Sequence, residues 1–239
     1  MRKIFAIFTL TAAIAFVVSP IVSPGFAGFS PDQFPVPQND PPIQPAGWAF
    51  SIWGVIYLWL IASSLFGLLK RDDDPDWHPA RPWLTVSLIV GAAWIPVAQI
   101  SPLWATVLIW IMWATAVVAL LRTPDFDQWW LRVPVGLYAG WLTAASSVAT
   151  AILLTGYGAT PVLPIHAMFV IVALGLSTLI LRRINAPSYA LAVIWALAGI
   201  IAANLGADRV LMIILSAVGI LLLAVPAVVQ MLPPQKRPA

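Results

Sequence analysis

The segment Pro45-Ala46-Gly47-Trp48-Ala49-Phe50-Ser51-Ile52-Trp53-Gly54-Val55-Ile56-Tyr57 holds the densest side-chain chemistry in this chain. Phe50, Trp53 and Tyr57 stand at i, i+3 and i+7, so they share one face of a helix. Trp48 sits at the mouth of that helix, directly after a proline-rich stretch. An aromatic face of this kind serves either helix packing or one wall of a pocket for a flat apolar guest. Aromatic-lined pockets with few polar groups are the usual small-molecule sites. Acid–base and metal chemistry find far less to work with. The sequence has no Glu and no Cys, so thiol nucleophiles, disulfides and Cys-based metal sites are excluded. It also lacks paired carboxylates in apolar segments, a His-rich cluster and a Gly-rich phosphate loop. No catalytic residues are expected, and the chain does not read as an enzyme. The run Asp72-Asp73-Asp74-Pro75-Asp76-Trp77-His78 alternates oxygen ligands, but Trp77 and Trp83 stand where a calcium loop needs Gly and Glu. It is read as a solvated loop, and no metal site is expected. His166 is an ionisable group inside an apolar segment and is expected to be interfacial or hydrogen-bonded. Gln99, Ser146, Ser147 and Asn204 are expected to join helices.

The elements that carry these residues follow from composition. Of 239 residues, 61% are hydrophobic and 9% charged, against roughly 25% charged in a soluble domain. So few charges cannot clothe a soluble fold of this length, which excludes a soluble enzyme and a nucleic-acid binder. A membrane span needs about 20 mainly apolar residues. Segments 4–22, 47–69, 83–100, 103–121, 131–155, 163–181, 187–204 and 210–230 meet or approach that length. Backbone groups in lipid must bond internally, so these segments are helices. The expected fold is all-α, a polytopic membrane bundle of about eight transmembrane helices.

Loop charges give the orientation. With the N-terminus cytoplasmic, Arg2, Lys3, Lys70, Arg71, Arg81, Arg122, Arg132, Arg182, Arg183, Lys236 and Arg237 all lie inside, and only Arg209 lies outside. That bias matches the positive-inside rule for eight crossings with both termini in the cytoplasm, as in a bacterial inner membrane. The first segment also admits a cleaved signal peptide ending near Gly25-Phe26-Ala27. Its long apolar run, closed by Pro20 and Pro24, favours a retained helix. Residues 23–46 form the longest outer loop and hold seven prolines, which forbid a helix and stiffen the backbone; the segment is either a plain connector or a folded-over lid on the outer face. Twelve of the thirteen tryptophans lie between Trp48 and Trp141. The chain therefore reads as a Trp-rich five-helix unit, 1–157, followed by a three-helix extension, 158–239.

Pro45, Gly47, Trp48, Phe50, Trp53 and Tyr57, placed at the start of a second membrane helix after a Pro-rich loop, resemble the signature of the TspO/MBR family. Its members are the tryptophan-rich sensory proteins and the translocator proteins. Trp94 in Ala92-Ala93-Trp94 and Trp141 in Tyr138-Ala139-Gly140-Trp141 resemble the tryptophans of that family's third and fifth helices. The likeness covers about the first 155 residues. It departs at Gly91 and Ala149, where the family usually carries Asn, and in the last three helices, which the five-helix members lack. The resemblance implies a five-helix bundle with a pocket beneath the first loop, lined by Trp48, Phe50, Trp53, Tyr57, Trp94, Tyr138 and Trp141. It implies a flat hydrophobic guest, such as a porphyrin or other tetrapyrrole, a sterol or an isoprenoid-like molecule, bound for sensing or transport. No cofactor is required, although a tetrapyrrole would be one bound guest. Arg209 is the only outer-side cation available to a carboxylated porphyrin. The alternative is a scaffold packed against a larger membrane complex. Gly136, Gly140 and Ala144 form a small-residue seam that serves either a tight internal helix contact or a homodimer. Expected partners are the bilayer and a hydrophobic small molecule, with a second copy if the seam serves a homodimer, and no nucleic acid.

Overall fold

The computed structural model describes residues 1–23 and 28–231. Pro24, the signal-like Gly25-Phe26-Ala27 and the basic pair Lys236 and Arg237 lie outside them. Among the described residues, eight helices are long and apolar enough to cross a membrane. They are α1 (Arg2–Val22), α2 (Ile52–Lys70), α3 (Arg81–Ile100), α4 (Pro102–Leu121), α5 (Arg132–Gly156), α6 (Val162–Leu181), α7 (Pro187–Asn204) and α8 (Val210–Met231). The chain is therefore a multi-pass integral membrane protein and an all-helical bundle. Short 3-10 turns occupy Pro31–Gln33 and Gly47–Ser51, the second leading directly into α2. α1 runs through Pro20 to Val22 rather than stopping at the proline. One missing bond in a final turn is tolerable where a mid-helix proline would not be.

α5 lies at the centre, packed against α2, α4, α6 and α7. α1 and α3 form one flank, and α8 forms the other against α6 and α7. The composition of α5 explains its position. Gly136, Gly140, Ala139 and Ala144 give it a low profile, and Thr143, Ser146 and Ser147 are buried polar groups needing partners. A Cβ on Gly140 would overlap the backbone carbonyl oxygen of Tyr189, and one on Gly136 would overlap the Ser188 hydroxyl. Glycine is thus what lets α7 lie directly on α5. The Gly136/Gly140 seam is filled from within the same chain. The contact is sealed by a buried node in which Trp113 Nε1 donates to Thr143 Oγ1 at 2.8 Å. Tyr189 Oη lies 2.6 Å from the same oxygen. Thr143 sends its own proton to the Ala139 carbonyl, so the tyrosine is the donor.

Most loop charges gather at one end of the bundle. Arg2 pairs with Asp73, Lys3 with Asp72, and Arg71 with Asp74 and Asp127. Asp72, Asp73 and Asp74 of the Asp-rich loop are thus paired with bases. Two buried arginines close helix ends there. Arg81 donates to the carbonyls of Gly67, Arg71 and Asp72, the free acceptors at the end of α2. Arg132 does the same past α4, on Thr123 and Pro124, and pairs with Asp125 at 2.8 Å. The opposite end of the bundle is roofed by the proline-rich strap.

Candidate functional site

Three of the aromatic residues singled out in the sequence meet at a void under that strap. Phe50 from the 3-10 turn, Trp94 from α3 and Trp141 from α5 line a cavity of about 60 Å³. Ile109, the α5 face of Ala144, Ala145, Val148, Ala149 and Ile152, and Gly28, Phe29, Gln44 and Pro45 of the strap complete it. Phe50 lies edge-on to Trp141, with centroids 5.9 Å apart. Trp94 is fixed by its indole N–H, which donates to the Ala105 carbonyl at 2.8 Å. Trp141 is 3% exposed, and its indole nitrogen has no hydrogen-bond acceptor among the described residues. No lining residue is ionisable, and Gln44 is the only amide side chain among them.

The other four residues of the expected wall lie elsewhere. Trp53 and Tyr57 stack at 5.2 Å and, with Tyr138, enclose Phe16 of α1 in a solid aromatic cluster deeper in the bundle. Tyr138 Oη lies 2.9 Å from Ser87 Oγ, whose proton goes to the Met112 carbonyl, so the phenol donates. Trp53 also touches Trp141 edge-on at 6.1 Å, which joins this cluster to the cavity wall. Trp48 is 48% exposed and packs edge-on against Trp195 of α7, away from the cavity. The helical spacing placed these rings on one face. It could not show that α1 supplies a ring to fill the middle of that face. The open signal was Gly91, where a Cβ would overlap the Phe16 ring. Glycine at 91 leaves room for the Phe16 ring, and the small Ala149 borders the cavity.

The strap is pinned along its length, mainly by the C-terminal helices. Gln33 donates to the carbonyls of Ala98 and Gln99 on α3. Phe34 sits over Gly156, where a Cβ would overlap its ring, and Val36 N–H donates to the Gly156 carbonyl. Ile43 N–H donates to His166 Nδ1 at 3.3 Å. Asn204 Nδ2 donates to the Pro42 carbonyl at 2.9 Å, and Ala46 N–H to the Gly199 carbonyl at 3.0 Å. Arg209 pairs with Asp40 at 2.9 Å. Trp195 Nε1 donates to the Ala49 carbonyl, fixing the turn that carries Phe50. His166 is thus a hydrogen-bonded joint, as the sequence suggests, whereas Asn204, expected to join helices, ties α7 to the strap. The part played by Gly199, Trp195 and Arg209 is invisible in the sequence, because each partner lies more than a hundred positions away. The proline density announced a stiff strap but not its anchors.

No curated protein and no solved structure matches this chain. A family model described as "TSPO-like protein" does match, over residues 4–229. The match extends beyond the first 155 residues that carry the motif resemblance and runs through α6, α7 and into α8. With nearly every described residue inside it, the chain belongs to the TSPO-like family.

Proposed function

We propose that this protein binds an uncharged hydrophobic guest in the cavity beneath the strap, for sensing or transport, and is not an enzyme. The observation that carries the reading is a void walled by Phe50, Trp94 and Trp141 with no ionisable side chain on its lining. Burying a carboxylate there without a partner would cost several kcal/mol. A free-acid porphyrin is therefore disfavoured, whereas a neutral tetrapyrrole, sterol or isoprenoid keeps its match to the wall. The indole N–H of Trp141, without an acceptor among the described residues, favours a guest with a carbonyl or ether oxygen.

Size limits the closed form. An apolar cavity of about 150 Å³ is what holds a single benzene ring, and this one measures about 60 Å³. Any flat guest larger than that enters only if the strap or the Phe50 turn moves. The proposed setting is a bacterial inner membrane with both termini cytoplasmic, which puts the strap on the outer face. The basic residues grouped away from the strap support that orientation. The test is quenching of tryptophan fluorescence in nanodiscs by a free-acid porphyrin and by its neutral diester. Saturable quenching that favours the diester and weakens in Trp141→Leu is expected. No saturable quenching by the neutral probe, or preference for the free acid, would overturn the reading. Copurification with a fixed partner complex and no quenching would favour a scaffold instead.

A further inference from the structure

The strap takes most of its anchors from α6–α8 and the turns beside them, and one anchor is a titratable ring. His166 is fully buried. Its Nδ1 accepts from the backbone N–H of Ile43, a group that can only donate, so Nδ1 carries the lone pair and Nε2 the proton. That Nε2 lies 3.1 Å from Thr155 Oγ1, which in turn donates to Gln38 Oε1 of the same strap at 2.7 Å. The neutral ring thus bridges α5, α6 and two points of the strap. We propose that α6–α8 form a clamp on the strap and that protonation of His166 releases it, uncovering the cavity.

A proton on Nδ1 faces the Ile43 N–H and replaces an acceptor with a second donor. The bond is lost and two like dipoles are opposed. Nothing near the ring absorbs the new charge without rearrangement. Arg209, from the turn before α8, faces it and already holds Asp40 of the strap. α5 offers Thr155 on this side, α7 ends in the neutral Asn204, and α6 has no other ionisable residue. Asp208 and Tyr157 are exposed in flanking turns. A second positive charge beside Arg209 weakens the grip further. Gln33 stays tied to α3 by two hydrogen bonds at the start of the strap, and the joints beyond it are single hydrogen bonds to Gly156, Gly199 and Asn204, of the size that local opening breaks.

This inference rests on the binding reading only for what lies under the strap, and its test uses no guest. Hydrogen exchange of strap amides is followed in nanodiscs at about pH 7.5 and about pH 5, a range that spans ordinary histidine titration. After correction for the chemical effect of pH, exchange over residues 34–46 is expected to rise at least about tenfold in acid. The rise is expected to be confined to the strap and absent in His166→Asn, which keeps an acceptor for Ile43 but cannot take up the charge. No rise, a rise across the whole chain, or the same rise in His166→Asn overturns the proposal. If the variant does not fold, the native protein still decides, by whether its rise is present and confined to the strap. Failure here with saturable guest binding intact would leave the function standing and remove only the clamp.

Discussion

Replacing Gly140 by alanine measures how closely α5 and α7 are joined. The added Cβ would overlap the Tyr189 carbonyl oxygen and come within 3.0 Å of both the Tyr189 carbonyl carbon and the Ala192 Cβ. Two of those atoms are backbone, so no rotamer change relieves the crowding and the helices must separate. Overpacking of this kind costs about 1–3 kcal/mol. Separation also stretches the 2.6 Å contact between Thr143 and Tyr189, and losing a buried hydrogen bond adds about 1 kcal/mol. A total of about 2–4 kcal/mol lowers the midpoint of thermal unfolding by roughly 5–10 °C for a chain of this size. Tryptophan fluorescence during a temperature ramp in detergent reads it directly. Gly175→Ala on α6 is the control, because a Cβ there meets nothing within 4 Å. It should leave the midpoint unchanged or raise it slightly, since alanine is the better helix former. Equal midpoints for the two variants would refute the claim that glycine permits this contact.

Thr143→Val removes the shared acceptor of Trp113 and Tyr189 and should destabilise by about 2–4 kcal/mol, as two buried donors lose their partner. Thr143→Ser should restore most of that in the same thermal assay. Ala149→Leu fills the cavity beside Trp141 and should abolish quenching by the neutral porphyrin, while the protein still unfolds cooperatively. At the basic end, burial first and the nearby Arg81, Arg2 and N-terminus next hold the His78 pKa below its ordinary value. The folded protein therefore resists charging His78. Its contribution to stability is whole above about pH 6.5 and is lost as pH falls towards the lowered folded value. Thermal midpoints compared near neutral and acid pH should show a smaller acid loss in His78→Gln than in the native protein.

Much of this architecture was legible because the bilayer leaves few options. A run of about 20 apolar residues must be a helix, and the observed helices differ from the sequence-read spans by at most two residues at their ends, except that 47–51, read as the start of the second span, is a 3-10 turn ahead of α2. Gly136 and Gly140 were read as a seam from spacing alone, but spacing does not name the partner helix. The i, i+3, i+7 stripe placed Phe50, Trp53 and Tyr57 on one face. Which of them borders a void depends on where Phe16 arrives from, and that is a tertiary fact. Trp48 matched a motif, yet its surroundings are set by Trp195 across the bundle. His166 was visible as an anomaly because ionisable groups are rare in spans. Its role needed the strap's path, which prolines restrict without determining.

The order of synthesis gives the strap's long-distance joints a temporal meaning. Residues 34–46 leave the ribosome before any of α5, α6 or α7, yet Gly156, His166, Gly199, Asn204 and Arg209 hold them. Until the final hairpin is inserted, the strap is fastened only through Gln33 on α3, Thr155 and Gly156 on α5 and His166 on α6, and the groove over Gly136 and Gly140 has no occupant. Full closure therefore waits on the last two crossings. A chain cut short after its fifth crossing would have a cover tied only at α3 and α5 and a notch along one side.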